Sequence, residues 1–326
     1  MSEVAVVDIA SLFGDEPDPA TDNAIAGQFA TEAAIVVSGF PGSKTLEERV
    51  AYLRSFFATP DSVRRRLATR RHEPRNPNLY RGYNPPPVKP HWSYNETFDI
   101  GPEPPLPAPD LPSRAAFTEE NVWPSDAEMP GWRDAALSYV RDCKAIAAAV
   151  IRSAARGLGV NPTQFDVICE SENSTLRLLH YPVMPEGFEL LNTDGSAKAH
   201  LVDGRPTITR EHVDTGGLTI LWQDDQGGLQ MKGRDDVWRD VPTGDGLLSI
   251  HCGDLLSTIG GPALASTPHR VLGTSGERFS IGYFIEPEFM SHVMPPNGAE
   301  AKTYGQHLTD AFPTRFLPPG SVAAAG

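Results

Sequence analysis

From Leu176 to Ile285 the chain divides its apolar residues into short runs, and this spacing narrows the possible folds more than any other feature. Leu176–Pro182, Leu218–Gln223, Gly228–Met231, Leu247–Ile250 and Phe279–Ile285 are each too short for a stable helix, and Gly and Asp turns separate most of them. Short strands at such intervals indicate a barrel or a sandwich. In either, residues two apart share a face, so a polar residue placed among apolar ones with that period faces a chosen side.

Three short pieces use that period. In Glu211-His212-Val213-Asp214-Thr215, His212 and Asp214 are two apart, so an extended strand brings one imidazole and one carboxylate to a single point. His269, in Ser266-Thr267-Pro268-His269-Arg270-Val271, follows 57 positions later (269 − 212), as a ligand from another strand would. Two histidines and one carboxylate on one face of a metal leave the opposite positions open, the arrangement of non-haem Fe(II) oxygenases. Arg278 and Ser280 are again two apart, with Gly282 and Phe284 continuing the face. An arginine fork binds a carboxylate through two parallel hydrogen bonds, and a neighbouring hydroxyl adds a third. A guanidinium facing a barrel interior would be costly without such an anion. Singly these pieces are weak, since His-x-Asp recurs by chance and a lone strand histidine is more often a core residue. In this order, between strand-like segments, they are strong.

Together the pieces resemble the non-haem iron, 2-oxoglutarate-dependent dioxygenases of the isopenicillin N synthase-like branch. That family's pattern is His-x-Asp, a distal His followed by Arg-Val, and Arg-x-Ser. The resemblance implies Fe(II) held by His212, Asp214 and His269, with O2 and 2-oxoglutarate as cosubstrates. It also implies that Arg278, Ser280 and Tyr181 bind the far carboxylate of 2-oxoglutarate. Tyr181 sits in Leu179-His180-Tyr181-Pro182, where plant members often show Asn-Tyr-Tyr-Pro, so the asparagine contact is missing here. Tyr80, Arg81, Tyr83, Arg177 and Phe284 are substrate-pocket candidates by position; Arg177 either reaches the pocket or points outward at a strand edge. The expected fold is mainly β with helices (α+β), a jelly-roll double-stranded β-helix with an N-terminal helical region packed on it.

The earlier chain fits that outline. Val4–Ile9 and Ala33–Phe40 read as strands, and Asn23–Thr31 and Leu46–Ala58 as helices, the second stopped by Pro60. Tyr80-Arg81-Gly82-Tyr83 and Glu96–Gly101 also resemble the family. Prolines then crowd from Pro85 to Pro112, which excludes a regular helix or central strand and implies an extended connection pinned by Trp92, Tyr94, Phe98 and Trp123. Trp132–Leu158 is the longest helical pattern, a packing helix ended by Gly157 and Gly159. The expected division is therefore 1–124, an N-terminal region with its Pro-rich connection, and 125–326, the long helix, the core and a C-terminal helix. Pro185–Pro206 reads as a polar insertion at the barrel mouth, Gly253-Asp254 as a turn, and Tyr304–Phe316 as a C-terminal helix of the kind that covers the mouth in relatives.

Charge and composition bound the partners. Lys and Arg number 28 against 42 Asp and Glu, a formal net charge of −14, which argues against a polyanionic partner such as nucleic acid. Arg64, Arg65, Arg66, Arg70, Arg71 and Arg75 are read as the solvated side of a helix and its exit; an anion patch or subunit contact is the alternative. Three scattered cysteines suit a reducing compartment. The beginning of the chain has no basic leader with an apolar core, and no run approaches the ~20 apolar residues of a membrane span. A cytoplasmic enzyme acting on a small molecule is expected. Two alternatives stay open: an oxidase of the same branch in which Arg278 and Ser280 bind a substrate carboxylate without 2-oxoglutarate, and a non-catalytic jelly-roll binding module. Purified material could carry Ni, Co or Mn in place of iron.

Overall fold

Two sheets carry the expected site. The structure, a computed structural model, describes residues 4–32, 34–105, 118–169, 173–191, 201–293 and 302–311. Its strands are β1 (Val6–Asp8), β2 (Ala34–Ser38), β3 (Gly82–Asn84), β4 (Glu96–Ile100), β5 (Thr175–Tyr181), β6 (Leu201–Val202), β7 (Arg205–His212), β8 (Leu218–Gln223), β9 (Leu229–Lys232), β10 (Trp238–Asp240), β11 (Leu248–Cys252), β12 (His269–Leu272) and β13 (Arg278–Ile285). The large sheet runs β1-β2-β11-β8-β13-β5-β4-β3 and the small one β10-β9-β12-β7-β6. The helices are α1 (Pro19–Thr31), α2 (Leu46–Arg54), α3 (Asp61–Arg66), α4 (Trp132–Gly157), α5 (Asp166–Cys169), α6 (Asp254–Gly260) and α7 (Tyr304–Ala311).

Strand alternation divides the large sheet into two unlike faces. Ile35, Val37, Leu176, Leu178, Ile220, Trp222, Ile250, Ile281, Tyr283 and Ile285 join one core with residues of α1, α2 and α4. The other face meets the small sheet: Val36 and Tyr181 lie in a second core with Ile208, Leu229, Met231 and Val271. Helix α4 covers the first face with Tyr139, Ile146, Val150 and Ile151, all buried. Fully burying a side chain such as Phe56 or Phe98 in this layer stabilises by about 1.5–3 kcal/mol relative to exposure.

Local chemistry sets the helix ends. Asp18 accepts from Ala20 N at 3.0 Å and Pro19 takes the first helical position, so α1 starts earlier than the apolar spacing alone indicates. At the end of α4, a Cβ on Gly157 would stand 2.2 Å from Asp22 O, so α1 and α4 close there only on a glycine. Asp22 then ties the two helices, accepting from Ser153 Oγ at 2.6 Å and Arg156 Nε at 2.7 Å.

Several expectations change. The helix expected over Leu46–Ala58 is α2 followed by a 3-10 turn, Ser55–Ala58. The arginine-rich stretch forms α3 and its exit, with Arg64 paired to Glu96, Arg65 to Asp61, Arg66 to Glu128 and Arg75 to Glu73. Gly253-Asp254 is not a turn: Asp254 opens α6, where a carboxylate meets the positive end of the helix. The Pro-rich connection is not wholly an extended surface segment either: Glu96–Ile100, a stretch free of proline, forms β4, paired on both sides by β3 and β5. Residues 106–112 of that connection, 192–200 of the insertion and 312–316 of the expected C-terminal helix lie outside the described residues. Among the described residues, no helix is long and apolar enough to cross a membrane.

Candidate active site

Three ligand-type side chains converge where the small sheet meets the loop after β7. Strands β12 and β7 are antiparallel with His269 opposite His212, and the two imidazole centres lie 4.1 Å apart. Asp214 does not belong to the strand, which ends at His212; the chain turns, and Asp254 N holds the Asp214 carbonyl at 2.9 Å. The convergence expected from a shared strand face is thus produced by a loop tied to the start of α6. Asp214 Oδ1 lies 3.8 Å from His212 Nε2 and 3.7 Å from His269 Nε2. Among the described residues these three form a group able to hold a metal ion, their ligand atoms all within 4.8 Å of one another.

The hydrogen bonds suit the residues for that task. His212 Nδ1 donates to Arg210 O at 2.9 Å and His269 Nδ1 to Thr267 O at 3.1 Å. Each neutral ring carries its proton on Nδ1, which leaves the Nε2 lone pair facing Asp214. Burial, reinforced by the nearby His269, pushes the His212 imidazole down to about 4. Burial lowers His269 as well. Burial raises the Asp214 carboxyl, but His269, His251 and His212 together outweigh that and hold it well below the usual carboxylate range. Two neutral imidazoles beside one carboxylate are the donor set a divalent metal requires, so these residues fit the metal.

Asp214 has further partners that sequence reasoning did not assign. Its Oδ2 accepts from Thr219 Oγ1 and lies 3.0 Å from His251 Nε2. Outside the group, the Trp92 ring stands 6.4 Å from His212 with the Arg210 guanidinium 5.8 Å over its face. The period-two alternation of Thr219 in β8 and His251 in β11 was the available signal, since both polar side chains fall on the face that meets the small sheet.

Along β13 the same inner face leads away to Arg278. This arginine is 1 % exposed, and its fork is fully directed. Nε donates to Gly227 O at 2.6 Å, Nη1 to Ser280 Oγ at 3.1 Å and Nη2 to Gln223 Oε1 at 3.2 Å. Tyr181, opposite Arg278 on β5, lies with its ring 4.9 Å from the guanidinium carbon. Among the described residues no carboxylate makes an ion pair with Arg278, and burial lowers its pKa against the opposing pull of Tyr181 and Asp224. A buried cation whose hydrogen bonds go to neutral acceptors has the chemistry to take up an anion.

The remaining sequence candidates separate. Arg177 faces inward on β5, gripped by Asp99 at 2.6 and 3.0 Å, near the Tyr80 hydroxyl at 3.3 Å and 5.6 Å from the Phe284 ring centre. Phe284 is paired in register with Thr219, which places this group beside the Asp214 end of the interior. Arg81 is buried, donates to Thr175 Oγ1 at 2.8 Å and stands 5.0 Å over the Tyr80 ring. Tyr83 lies on the opposite face of the sheet, in the helix-side core beside Phe56, with its hydroxyl donating to Glu96. The structure brings Arg177, Phe284 and Tyr80 together and leaves Tyr83 out.

Comparison with known proteins adds four findings. The family model for the 2OG-Fe(II) oxygenase superfamily matches residues 172–287. The chain is 26% identical to isopenicillin N synthase of Streptomyces clavuligerus over 94% of both proteins. It is 28% identical to the 2-oxoglutarate-dependent dioxygenase htyE of Aspergillus rugulosus over 82% of each. In structure it resembles a Neurospora crassa protein solved in complex with alpha-KG and thymine, with a TM-score of 0.72, 23% identity, and coverage of 94% of this chain and 96% of that one. The likeness identifies the architecture as a jelly-roll double-stranded β-helix core with helices packed on it.

Proposed function

We propose that the chain is a member of the 2OG-Fe(II) oxygenase superfamily, whose family model matches residues 172–287, and that it hydroxylates a small organic substrate. In this reaction one atom of O2 enters the substrate and the other enters succinate, as 2-oxoglutarate loses CO2. His212, Asp214 and His269 hold the Fe(II), which when bound supplies the redox chemistry of O2 use and keto-acid decarboxylation. The observation that carries the reading is the pairing of this three-residue group with a buried Arg278 on the inward face of the opposing sheet.

Each side chain has a definable task. The backbone acceptors Arg210 O and Thr267 O fix the two imidazoles with Nε2 inward. Arg278 offers its fork to the far carboxylate of 2-oxoglutarate, Ser280 adds a hydroxyl, and Tyr181 walls the opposite side. Gly227 and Gln223 hold the fork before any anion arrives, so little ordering is left for binding. Around the Asp214 end, Phe284 presents an aromatic face and Arg177 and Tyr80 a polar edge to the substrate, with Arg81 supporting them from behind. A flat polar molecule, such as the thymine of the Neurospora complex, suits a wall of that composition. The choice of substrate then rests on these side chains and on Trp92 and Arg210 at the rim.

Incubating the enzyme with Fe(II), O2 and a metabolite panel while 2-oxoglutarate is titrated tests the proposal. Succinate formed in step with an oxygenated product supports it. Substrate oxidation without 2-oxoglutarate would replace it by the oxidase reading, in which Arg278 binds a substrate carboxylate.

A further inference from the structure

The three-residue metal group leaves one oxygen of Asp214 unused, and a fourth residue answers to it. Oδ1 faces His212 Nε2 at 3.8 Å and His269 Nε2 at 3.7 Å. Oδ2 turns away, toward Thr219 Oγ1 and His251 Nε2, the latter at 3.0 Å. Strand pairing puts these two partners side by side, since His251 of β11 lies opposite Thr219 of β8. His251 is fully buried, with its ring centre 4.5 Å from that of His269.

The direction of the His251 hydrogen bond follows from its surroundings. Its Nδ1 is buried and has no hydrogen-bond partner among the described residues. A neutral imidazole carries one ring proton and an ionised carboxylate only accepts, so the proton sits on Nε2 and is donated to Asp214. A carboxylate rotates easily about its last bond, a broad two-fold torsion, so the donors around it decide its orientation. Two donors on Oδ2 therefore determine which oxygen faces the histidines.

We propose that His251 is a positioning residue that, with Thr219, makes Asp214 a one-oxygen ligand. Held by His251, Oδ2 cannot swing round and take a coordination position that 2-oxoglutarate or O2 requires. This rests on the metal-site reading above and extends it to a residue outside the ligand set.

Two variants test it, with metal binding as the readout. His251→Phe keeps a flat ring against His269 but cannot donate, whereas His251→Gln retains a donor. Each is purified without metal, checked for folding by circular dichroism, and titrated with Co(II) by calorimetry and visible absorption. His251→Phe should bind Co(II) about 10–100-fold more weakly, the usual penalty for losing an outer partner of a ligand. Its absorption should also weaken, as a two-oxygen Asp214 raises the coordination number. His251→Gln should recover most of the affinity and the wild-type spectrum, which a packing role would not explain. A Phe variant with wild-type affinity and spectrum, or a Gln variant as weak as Phe, overturns the proposal. If the Phe variant does not fold, the Gln variant decides alone: near wild-type affinity supports the role and a roughly tenfold loss overturns it. Wild-type protein that binds no Co(II) would instead overturn the metal-site reading, and this inference with it.

Discussion

Replacing Arg278 by lysine separates charge from shape at the proposed 2-oxoglutarate site. The native guanidinium spends Nε on Gly227 O, Nη1 on Ser280 Oγ and Nη2 on Gln223 Oε1, and 1 % of the residue is exposed. A lysine ammonium keeps the positive charge but gathers its donors on one atom. It cannot satisfy Gly227 and Gln223 while also presenting two parallel hydrogen bonds to a carboxylate. At least one charge-assisted hydrogen bond to the cosubstrate is lost, about 1.5–3 kcal/mol. At roughly 1.4 kcal/mol per decade, the apparent constant for 2-oxoglutarate should rise about ten- to a hundred-fold.

The assay follows succinate against 2-oxoglutarate concentration for wild type and Arg278→Lys, with Fe(II) and substrate saturating. A buried acceptor left bare costs about 1–3 kcal/mol, so the variant also melts lower and is assayed well below its transition. Substrate affinity, measured anaerobically at saturating 2-oxoglutarate, should change little. An unchanged 2-oxoglutarate dependence in a folded variant would refute the assignment of Arg278. A wild type that turns over without 2-oxoglutarate would refute the reaction itself.

Other expectations follow from the same structure. His212→Ala, Asp214→Ala and His269→Ala should each abolish Fe(II)-dependent turnover with the circular dichroism spectrum retained, and full activity in any one would remove that residue from the metal site. Asp99→Asn leaves the inward Arg177 without its carboxylate; breaking such a pair costs about 3–5 kcal/mol, visible as a lower denaturant midpoint. Gly253→Ala should destabilise the fold and weaken metal binding together, because its Cβ would stand 2.0 Å from Gly216 O and 3.0 Å from Asp214 O. The His212 imidazole is depressed from 6.5 to about 4, so between those values the unfolded chain binds the extra proton and metal-free stability falls as pH drops. Denaturant melts across that window should show the fall, and His212→Gln should make it shallower, with the lowered His269 contributing the rest; an identical slope in the variant would assign the pH dependence elsewhere.

The sequence revealed the site wherever a strand carries it alone, and concealed the site wherever two strands or a turn build it. His212, His269, Arg278 and Ser280 were readable because their strands are extended and side-chain parity follows from counting. Asp214 does meet the two histidines, but through a different geometry: β7 ends at His212, and the carboxylate is turned inward by a loop that Asp254 N secures. Tyr80 and Tyr83 are three apart, so counting alone already separates them, and the structure does so. Between them Gly82 takes φ +107° and β3 pairs Tyr83 with Phe98, which sends Tyr83 to the helix-side core while Tyr80 remains beside Arg177.

His251 shows a different limit. In the sequence it is one polar residue in an apolar run, as a satisfied core histidine would be. Its meaning depends on β11 pairing with β8 so that His251 meets Thr219, and on the loop that carries Asp214 Oδ2 to both. Register between strands distant in sequence is set by packing on both faces of the sheet, not by the residues of either strand alone. A second pairing, β4 with β5, explains Arg177, whose partner Asp99 lies opposite it on β4. An inward arginine would be a poor core residue without that carboxylate, and an isolated Asp99 equally so. Sequence parity thus identifies which side chains enter the interior, and only strand pairing tells which of them are already satisfied. Arg177 is ion-paired with Asp99, whereas the hydrogen bonds of Arg278 go to neutral acceptors, which is the observation behind proposing Arg278 for the cosubstrate's carboxylate.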